Sequence, residues 1–276
     1  MARTRAFLEG RGAGEARLEA ELLVAEALSI ERLRVFLELD RPLTEPEVTR
    51  ARELVVRRGR GEPCAYVIGK KEFYGRSFEV GPGVLVPRPE TEYLVDLARE
   101  RLRGRARPSV FDLGTGSGCI ALTLFFELEE ARVVASDLSE RALAFARANA
   151  ARLGAKVELL LGDGFEPVRG RRFDCIVSNP PYVDPAAAGT LAREVREFEP
   201  PEALFAPAGD RDHWVRRLAR EAPAFLEPGG VCLVELGHDQ ARAVRAELEA
   251  RCASFRIHED LAGIERVLEL SRLRDD

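Results

Sequence analysis

Nowhere in these 276 residues do apolar side chains run for the roughly 18 consecutive positions that a membrane-spanning helix requires. The chain starts MARTRAFLEGRG, too polar for the apolar core of a signal peptide, so a cytoplasmic protein is expected. Histidine is scarce: His213, His238 and His258 lie far apart, and with neither a CxxC nor an HExxH string no protein-built metal site is expected. The five cysteines, Cys64, Cys119, Cys175, Cys232 and Cys252, are odd in number and widely spaced. Four of them sit among apolar neighbours, which suits buried thiols rather than a disulfide framework. Lysine is nearly absent, with Lys70, Lys71 and Lys156 the only three among 42 basic residues, a bias that looks genomic rather than functional.

With 46% hydrophobic and 32% charged residues, the chain can bury one full-sized core and keep material for a small second domain. Residues 15–58 read as helices, because Leu18, Leu22, Leu23, Ala25 and Ala27, then Leu33, Phe36 and Leu37, recur near helical spacing. Thr44-Glu45-Pro46-Glu47 has the form of a capping box opening a further helix through Val48, Ala51, Leu54 and Val55. The string from Arg57 to Pro63 breaks that pattern, and Tyr66 to Val80 alternates about Gly75 like a hairpin. From Val110 the order becomes strand, glycine-rich turn, helix, strand, which argues an α/β doubly wound parallel sheet. Candidate strands are Val110–Leu113, Val133–Ser136, Val157–Leu161, Cys175–Ser178 and Val231–Leu236. Phe255–His258 and Arg266–Leu270 follow too closely for a crossover helix and are expected to form a terminal antiparallel pair.

After the first of these strands comes Asp112-Leu113-Gly114-Thr115-Gly116-Ser117-Gly118, then a helix-like run through Ile120, Ala121 and Leu124. Alternate glycines let the backbone turn sharply and let a ligand approach it. The next strand ends at Asp137, where a carboxylate can accept both hydroxyl protons of a ribose, and Ser139 reads as the following helix's N-cap. A dinucleotide enzyme would prefer GxGxxG beneath a pyrophosphate. GxGxG suits a cofactor without phosphates, and S-adenosylmethionine carries ribose, adenine and an amino-acid tail. Gly162-Asp163-Gly164-Phe165 follows the third strand, where Asp163 can accept from the adenine amine; Phe165 is either packed nearby or simply core.

Ser178-Asn179-Pro180-Pro181-Tyr182 ends the fourth strand. Two prolines stiffen the backbone and remove N–H donors, leaving carbonyls free. A planar NH2 group can donate one proton to the Asn179 side-chain oxygen and one to the Pro180 carbonyl, with Tyr182 stacked on it to exclude water. Asn179→Asp keeps an acceptor of the same shape and is expected to retain more activity than Asn179→Ala.

These strings resemble the class I S-adenosylmethionine methyltransferases that act on amide or exocyclic nitrogen, and within them the PrmC/HemK-type peptide chain release factor N5-glutamine methyltransferases. The resemblance covers nearly the whole chain. More specific than GTGSG and NPPY are Arg57-Arg58-x-x-Gly61-Glu62-Pro63 with Tyr66 and Gly69, and Leu85-Val86-Pro87-Arg88-Pro89-Glu90-Thr91-Glu92. Glu199-Pro200 with Ala203-Leu204, Glu235-x-Gly237 with Gln240, and Gly263-x-Glu265-Arg266 continue it. Gly164 stands where such enzymes often carry a larger residue, and Asp210-Arg211-Asp212 replaces a more usual Asp-Gly stretch.

The resemblance implies a helical release-factor-docking domain over residues 1–63, a β-hairpin linker over 64–84 and a seven-stranded Rossmann-like methyltransferase domain over 85–276. It implies methyl transfer from S-adenosylmethionine to the glutamine of a Gly-Gly-Gln loop in class one peptide chain release factors, by a chain expected to be monomeric. The catalytic set is Asn179, Pro180 and Tyr182, and the substrate-binding set adds Pro181. Gly114, Thr115, Gly116, Ser117, Gly118, Asp137, Asp163, Gly164, Phe165 and Asn179 make the cofactor set. A rival reading is an amino-methyltransferase acting on a nucleobase or a ribosomal-protein glutamine. Charge opposes the nucleic-acid version: residues 1–75 carry 14 basic and 13 acidic side chains and the remainder 28 and 34, without the surplus that phosphate contacts need.

Overall fold

The computed structural model describes residues 1–38, 40–250 and 254–271. The chain divides into two compact units, one of Met1–Lys70 with Val80–Pro82 and Leu191–Phe198, the other of Lys71–Glu79, Gly83–Thr190 and Glu199–Asp276.

The smaller unit is helical, with α1 (Ala2–Glu9), α2 (Ala16–Leu28), α3 (Arg32–Leu37), α4 (Glu45–Gly59) and α5 (Cys64–Ile68). Leu8, Ala20, Leu23 and Leu54 fill its core. The first helix lies ahead of the expected helical stretch, its one buried side chain, Leu8, too little to mark a period. The capping box forms, the Thr44 N–H donating to Glu47 Oε2 at 2.8 Å. In the Arg57–Pro63 string, Arg57 Nε donates to Glu62 Oε2 at 2.9 Å, while the buried Arg58 pairs with Glu19 at 2.8 Å and with Glu194. Part of the expected hairpin is helix instead: Tyr66 and Val67 are buried in α5, which starts after Pro63 and stops at Gly69 with φ +83°. The hairpin itself is shorter, β1 (Lys70–Phe73) and β2 (Arg76–Glu79). Tyr74 and Gly75 between them both have positive φ, the backbone of a two-residue hairpin turn.

In the larger unit α6 (Glu92–Leu102) precedes β3 (Ser109–Leu113), α7 (Cys119–Glu127), β4 (Arg132–Asp137), α8 (Glu140–Leu153), β5 (Glu158–Leu161) and β6 (Phe173–Ser178). Three helices follow, α9 (Arg193–Phe198), counted with the smaller unit, α10 (Pro201–Leu204) and α11 (His213–Glu221). Then come β7 (Leu226–Glu235), α12 (Ala241–Ala250), β8 (Phe255–Glu259) and β9 (Glu265–Ser271). The seven-stranded sheet has the order β5-β4-β3-β6-β7-β9-β8. Its first five strands are parallel, and β9 runs antiparallel between β7 and β8, giving the class I methyltransferase fold and the expected terminal pair.

Alternation along the strands builds two cores. Val110, Val133, Cys175 and Val177 face α6 and α7, whereas Phe111, Val134, Ile176 and Cys232 face α11 and α12. Cys119, Cys175 and Cys232 are buried, Cys64 is half-buried, and Cys252 lies outside the described residues. No helix among the described residues is long and apolar enough to cross a membrane. The strand order reverses at β3, whose neighbours are β4 and β6, so a crevice opens beyond the carboxyl ends of these three strands.

Candidate functional site

The turn after β3 needs glycine for its backbone: Gly114, Gly116 and Gly118 have φ of +78°, +57° and +83°. Backbone N–H groups of Gly114 and Thr115 both donate to the Ser136 carbonyl at 2.9 Å, tying the turn to the end of β4. Asp137 completes this tie. Its Oδ2 accepts from Gly116 N–H at 2.8 Å and its Oδ1 from Ser139 N–H at 2.9 Å, and burial raises its pKa. Ser139 caps α8, accepting from Ala142 N–H at 3.3 Å.

Beneath the turn lies Asp112, fully buried, with Oδ2 accepting from Thr115 Oγ1 at 2.6 Å and from Ala121 N–H at 3.1 Å. Desolvation pushes its pKa up to about 7. Asp112 Oδ1 and Ser117 Oγ are buried polar atoms without a hydrogen-bond partner. Such atoms cost about 1–3 kcal/mol each, and of the two residues Ser117 lines the cavity above the turn while Asp112 lies beneath it.

A cavity of about 430 Å³ occupies the crevice. Of the expected residues, Gly114, Thr115, Gly116, Ser117, Asp137, Asp163, Gly164, Asn179, Pro180 and Pro181 line it. Three do not. Gly118 is the helix N-cap, where a Cβ would lie 3.1 Å from Leu122 Cδ1 and 3.3 Å from Ala146 Cβ, so its small size serves packing. Phe165 is core, its ring stacked 4.4 Å from that of Phe225, because Gly164 turns the chain inward there. Tyr182 lies against Gly237, where an added Cβ would sit 2.9 Å from Tyr182 Cδ2, and burial near Glu235 raises its phenol to about 12.

Other lining residues escaped sequence reasoning: Val84, Leu85, Pro87, Arg88 and Thr91 on one wall and Trp214 on another. The first wall is anchored by the buried Glu199, which accepts from Val86 N–H at 3.1 Å and from Arg88 Nη2 at 2.6 Å. The strings that carried the resemblance, Leu85–Glu92 and Glu199-Pro200, are the signal that could have marked it. Trp214 sits on α11 with no motif around it. Asp163 is engaged by Arg217, at 2.7 and 3.1 Å, and the guanidinium lies 5.1 Å from the Trp214 ring centre. A Cβ on Gly164 would come within 2.4 Å of Arg217 Nη2, so the missing side chain at 164 makes room for this arginine.

At the end of β6, Ser178 Oγ donates to the Leu113 carbonyl at 2.8 Å, joining β6 to β3 at the rim. Asn179 Nδ2 donates to Thr91 Oγ1 at 3.1 Å. Glu235, at the end of β7, is 2% exposed, and burial lifts it to about 7 against the opposing pull of Thr91 and Arg266. The cavity therefore has a polar backbone-lined half at β3 and β4 and a stiff amide-bearing half at β6.

Comparison with known proteins gives matches along most of the chain. Residues 1–69 match the family model of the PrmC N-terminal domain, and residues 91–196 match that of the methyltransferase small domain. A release factor glutamine methyltransferase of Koribacter versatilis is 44% identical, covering 95% of this chain and 93% of its own. One from Geobacter sulfurreducens is 42% identical, over 96% and 93%. A crystal structure of a methyltransferase from Pyrococcus furiosus shares the fold, with TM-score 0.52, 20% identity, and coverage of 72% of this chain and 90% of that one.

Proposed function

The chain belongs to the release factor glutamine methyltransferases, and on that premise we propose that it transfers a methyl group from S-adenosylmethionine to the side-chain amide nitrogen (N5) of the glutamine in the Gly-Gly-Gln motif of class one peptide chain release factors. The observation that carries this reading is the position of Asn179, which shares one cavity with the glycine turn and Asp137. The residues fit the cofactor. Asp137 keeps lone pairs for two ribose hydroxyls, the unpartnered Ser117 Oγ suits the amino-acid tail, and Trp214 with Gly162–Gly164 walls the place for adenine. The cofactor supplies an electrophilic methyl on a sulfonium.

A carboxamide nitrogen is a weak nucleophile because its lone pair is delocalised into the carbonyl. Alignment can supply about 7–11 kcal/mol of the barrier in favourable cases. Asn179 Oδ1 and the Pro180 carbonyl each accept one N–H of the substrate amide, fixing its plane with π density toward the methyl. As the nitrogen gains positive charge, the same two acceptors strengthen, so they favour the transition state over the ground state. No general base is assigned, since the nitrogen turns acidic only as the methyl arrives. Pro180 and Pro181, which line the cavity, keep water out.

Residues 1–63 are assigned to docking the factor, which is supported by α3, where Leu33 is 68% and Leu37 84% exposed. Incubation of the chain with methyl-labelled cofactor and purified release factor, followed by peptide mapping, tests the reading. Label is expected on the Gly-Gly-Gln glutamine. Label on an oligonucleotide or a ribosomal protein in its place would overturn it.

A further inference from the structure

The loop after β5 carries its acidic residue between two glycines, Gly162-Asp163-Gly164, so neither neighbour offers a side chain to steady the carboxylate. It is held from α11 instead. Arg217 Nη1 donates to Asp163 Oδ1 at 2.7 Å and Nη2 to Oδ2 at 3.1 Å, a two-pronged pair that fixes the carboxylate plane. Three positions earlier on the same helix face, the Trp214 ring centre lies 5.1 Å from that guanidinium, within reach of a cation–π contact. Nη2 also lies against Gly164, where an added Cβ would collide with it. Asp163, Gly164 and Trp214 all line the cavity, and Arg217, which meets all three, does not. The arginine therefore stands behind that wall.

We propose that Arg217 is a positioning residue for the cofactor: it holds Asp163 and Trp214 as one rigid wall, on which the Trp214 indole supplies the stacking face for adenine that position 164 does not. This rests on the reading that S-adenosylmethionine occupies the cavity. A planar indole presents a flat apolar face at low entropic cost, and a base stacks on such a face whatever its edge. Without the guanidinium the ring turns about its side-chain torsions and the carboxylate swings on its glycine-flanked loop. Both must then be ordered when the cofactor arrives, at a cost in affinity. Arg217 is itself secured along α11 by Glu221, whose Oε2 accepts from Nε at 3.3 Å. A plain surface ion pair would need neither an indole beside it nor a glycine kept clear of it.

Calorimetric titration with S-adenosylhomocysteine, the demethylated cofactor, reads binding without turnover. Trp214→Ala is expected to weaken affinity about thirtyfold, in the range of a lost base-stacking partner, and Trp214→Phe, which keeps a ring, about threefold. Arg217→Ala is expected to weaken it about tenfold. Arg217→Lys should lose about fivefold, because an ammonium cannot both fork to two carboxylate oxygens and cover the ring. Since Arg217 acts partly through Trp214, its removal in a Trp214→Ala background should cost about threefold, the share that runs through Asp163. In turnover with release factor, Arg217→Ala should raise KM for S-adenosylmethionine and leave kcat unchanged. Arg216→Ala is the control: Arg216 pairs with Asp210 and, at 3.1 Å, with Glu247, and does not line the cavity. Its loss breaks ion pairs on the same helix and is expected to leave affinity within about twofold of wild type.

Circular dichroism melting shows whether each variant is folded at the titration temperature, and Trp214→Phe and Arg217→Lys carry the test where an alanine variant does not fold. Emission of Trp214, the chain's one tryptophan, should change on binding in every variant that keeps it. Arg217 variants that bind as tightly as wild type overturn the brace, as does an equal loss in Arg216→Ala or an undiminished loss in the Trp214→Ala background. Trp214→Ala binding as tightly as wild type removes the stacking face. In each of these cases a wild-type protein that binds S-adenosylhomocysteine leaves the reading of the cavity standing. A wild-type protein that does not bind it overturns that reading, and the brace with it.

Discussion

On the side of the cavity formed by β3 and β4, the carboxylate of Asp137 is steadied by backbone N–H groups of Gly116 and Ser139, whereas Asn179, at the end of β6, is steadied by a hydroxyl 88 positions earlier in the chain. A backbone donor is fixed once the turn forms, so the cofactor half is rigid as soon as β3 and β4 pair. The Asn179 half gains its hydrogen bond only when the start of α6 and the end of β6 have come together. On the proposed reading, errors in the first half are expected to cost binding, and errors in the second to leave binding intact and misdirect the reacting amide.

The largest effect that sharpens this contrast is expected for Asn179→Ala. Loss of one preorganised acceptor should lower turnover roughly a hundredfold or more, with the cofactor titration of Trp214 emission unchanged. Weakened cofactor binding in that variant would erase the division between the halves.

Asp137→Ala is its counterpart. A lost charge-assisted pair of ribose contacts should weaken cofactor affinity by about 1.5–3 kcal/mol, roughly ten- to 150-fold, in a protein that still folds. Calorimetric titration decides, and unchanged affinity would remove Asp137 from the site.

Gly164→Ala is milder. The residue has φ +55°, and its new Cβ would press on Arg217, so the Arg217–Asp163 pair must shift. A stability loss of about 1–3 kcal/mol is expected from the backbone alone, together with a few-fold loss of cofactor affinity. Thermal melting and titration would show both.

The smallest effect concerns pH. Glu235 sits at about 7 in the folded protein and at an ordinary carboxylate value when unfolded, so the folded state holds its proton more tightly. Its contribution to stability is therefore full below about pH 4.5 and is lost as pH rises through 7. Glu235→Gln removes this loss, and its melting temperature relative to wild type should climb between pH 5 and 8. A constant difference would mean that Glu235 is ionised throughout.

Legibility in the sequence follows the same line. GTGSG and Asp137 could be read because each acts on neighbours a few residues away, or at a strand end that the apolar run already marks. The parallel strands were legible for a related reason, since runs such as Val110–Leu113 must be buried on both faces. The start of the expected hairpin was misplaced because Tyr66 and Val67 are as apolar as a strand would make them, and only Gly69 with φ +83° stops a short helix there. Phe165 could be assigned to cofactor or core with equal reason. Its direction depends on Phe225, some sixty positions later, with which it stacks.

Residue chemistry alone determined that a stiff Asn-Pro-Pro-Tyr loop follows β6, that a glycine turn follows β3, and that an acidic side chain ends β4, because backbone stereochemistry and short-range hydrogen bonding need no distant partner. Which end of Asn179 faces the cavity, that Trp214 walls it, and that Arg217 takes the room left by Gly164 were decided only by the tertiary structure. A hydrogen bond has a direction and a side chain has a volume, and both are settled by whatever the fold brings alongside.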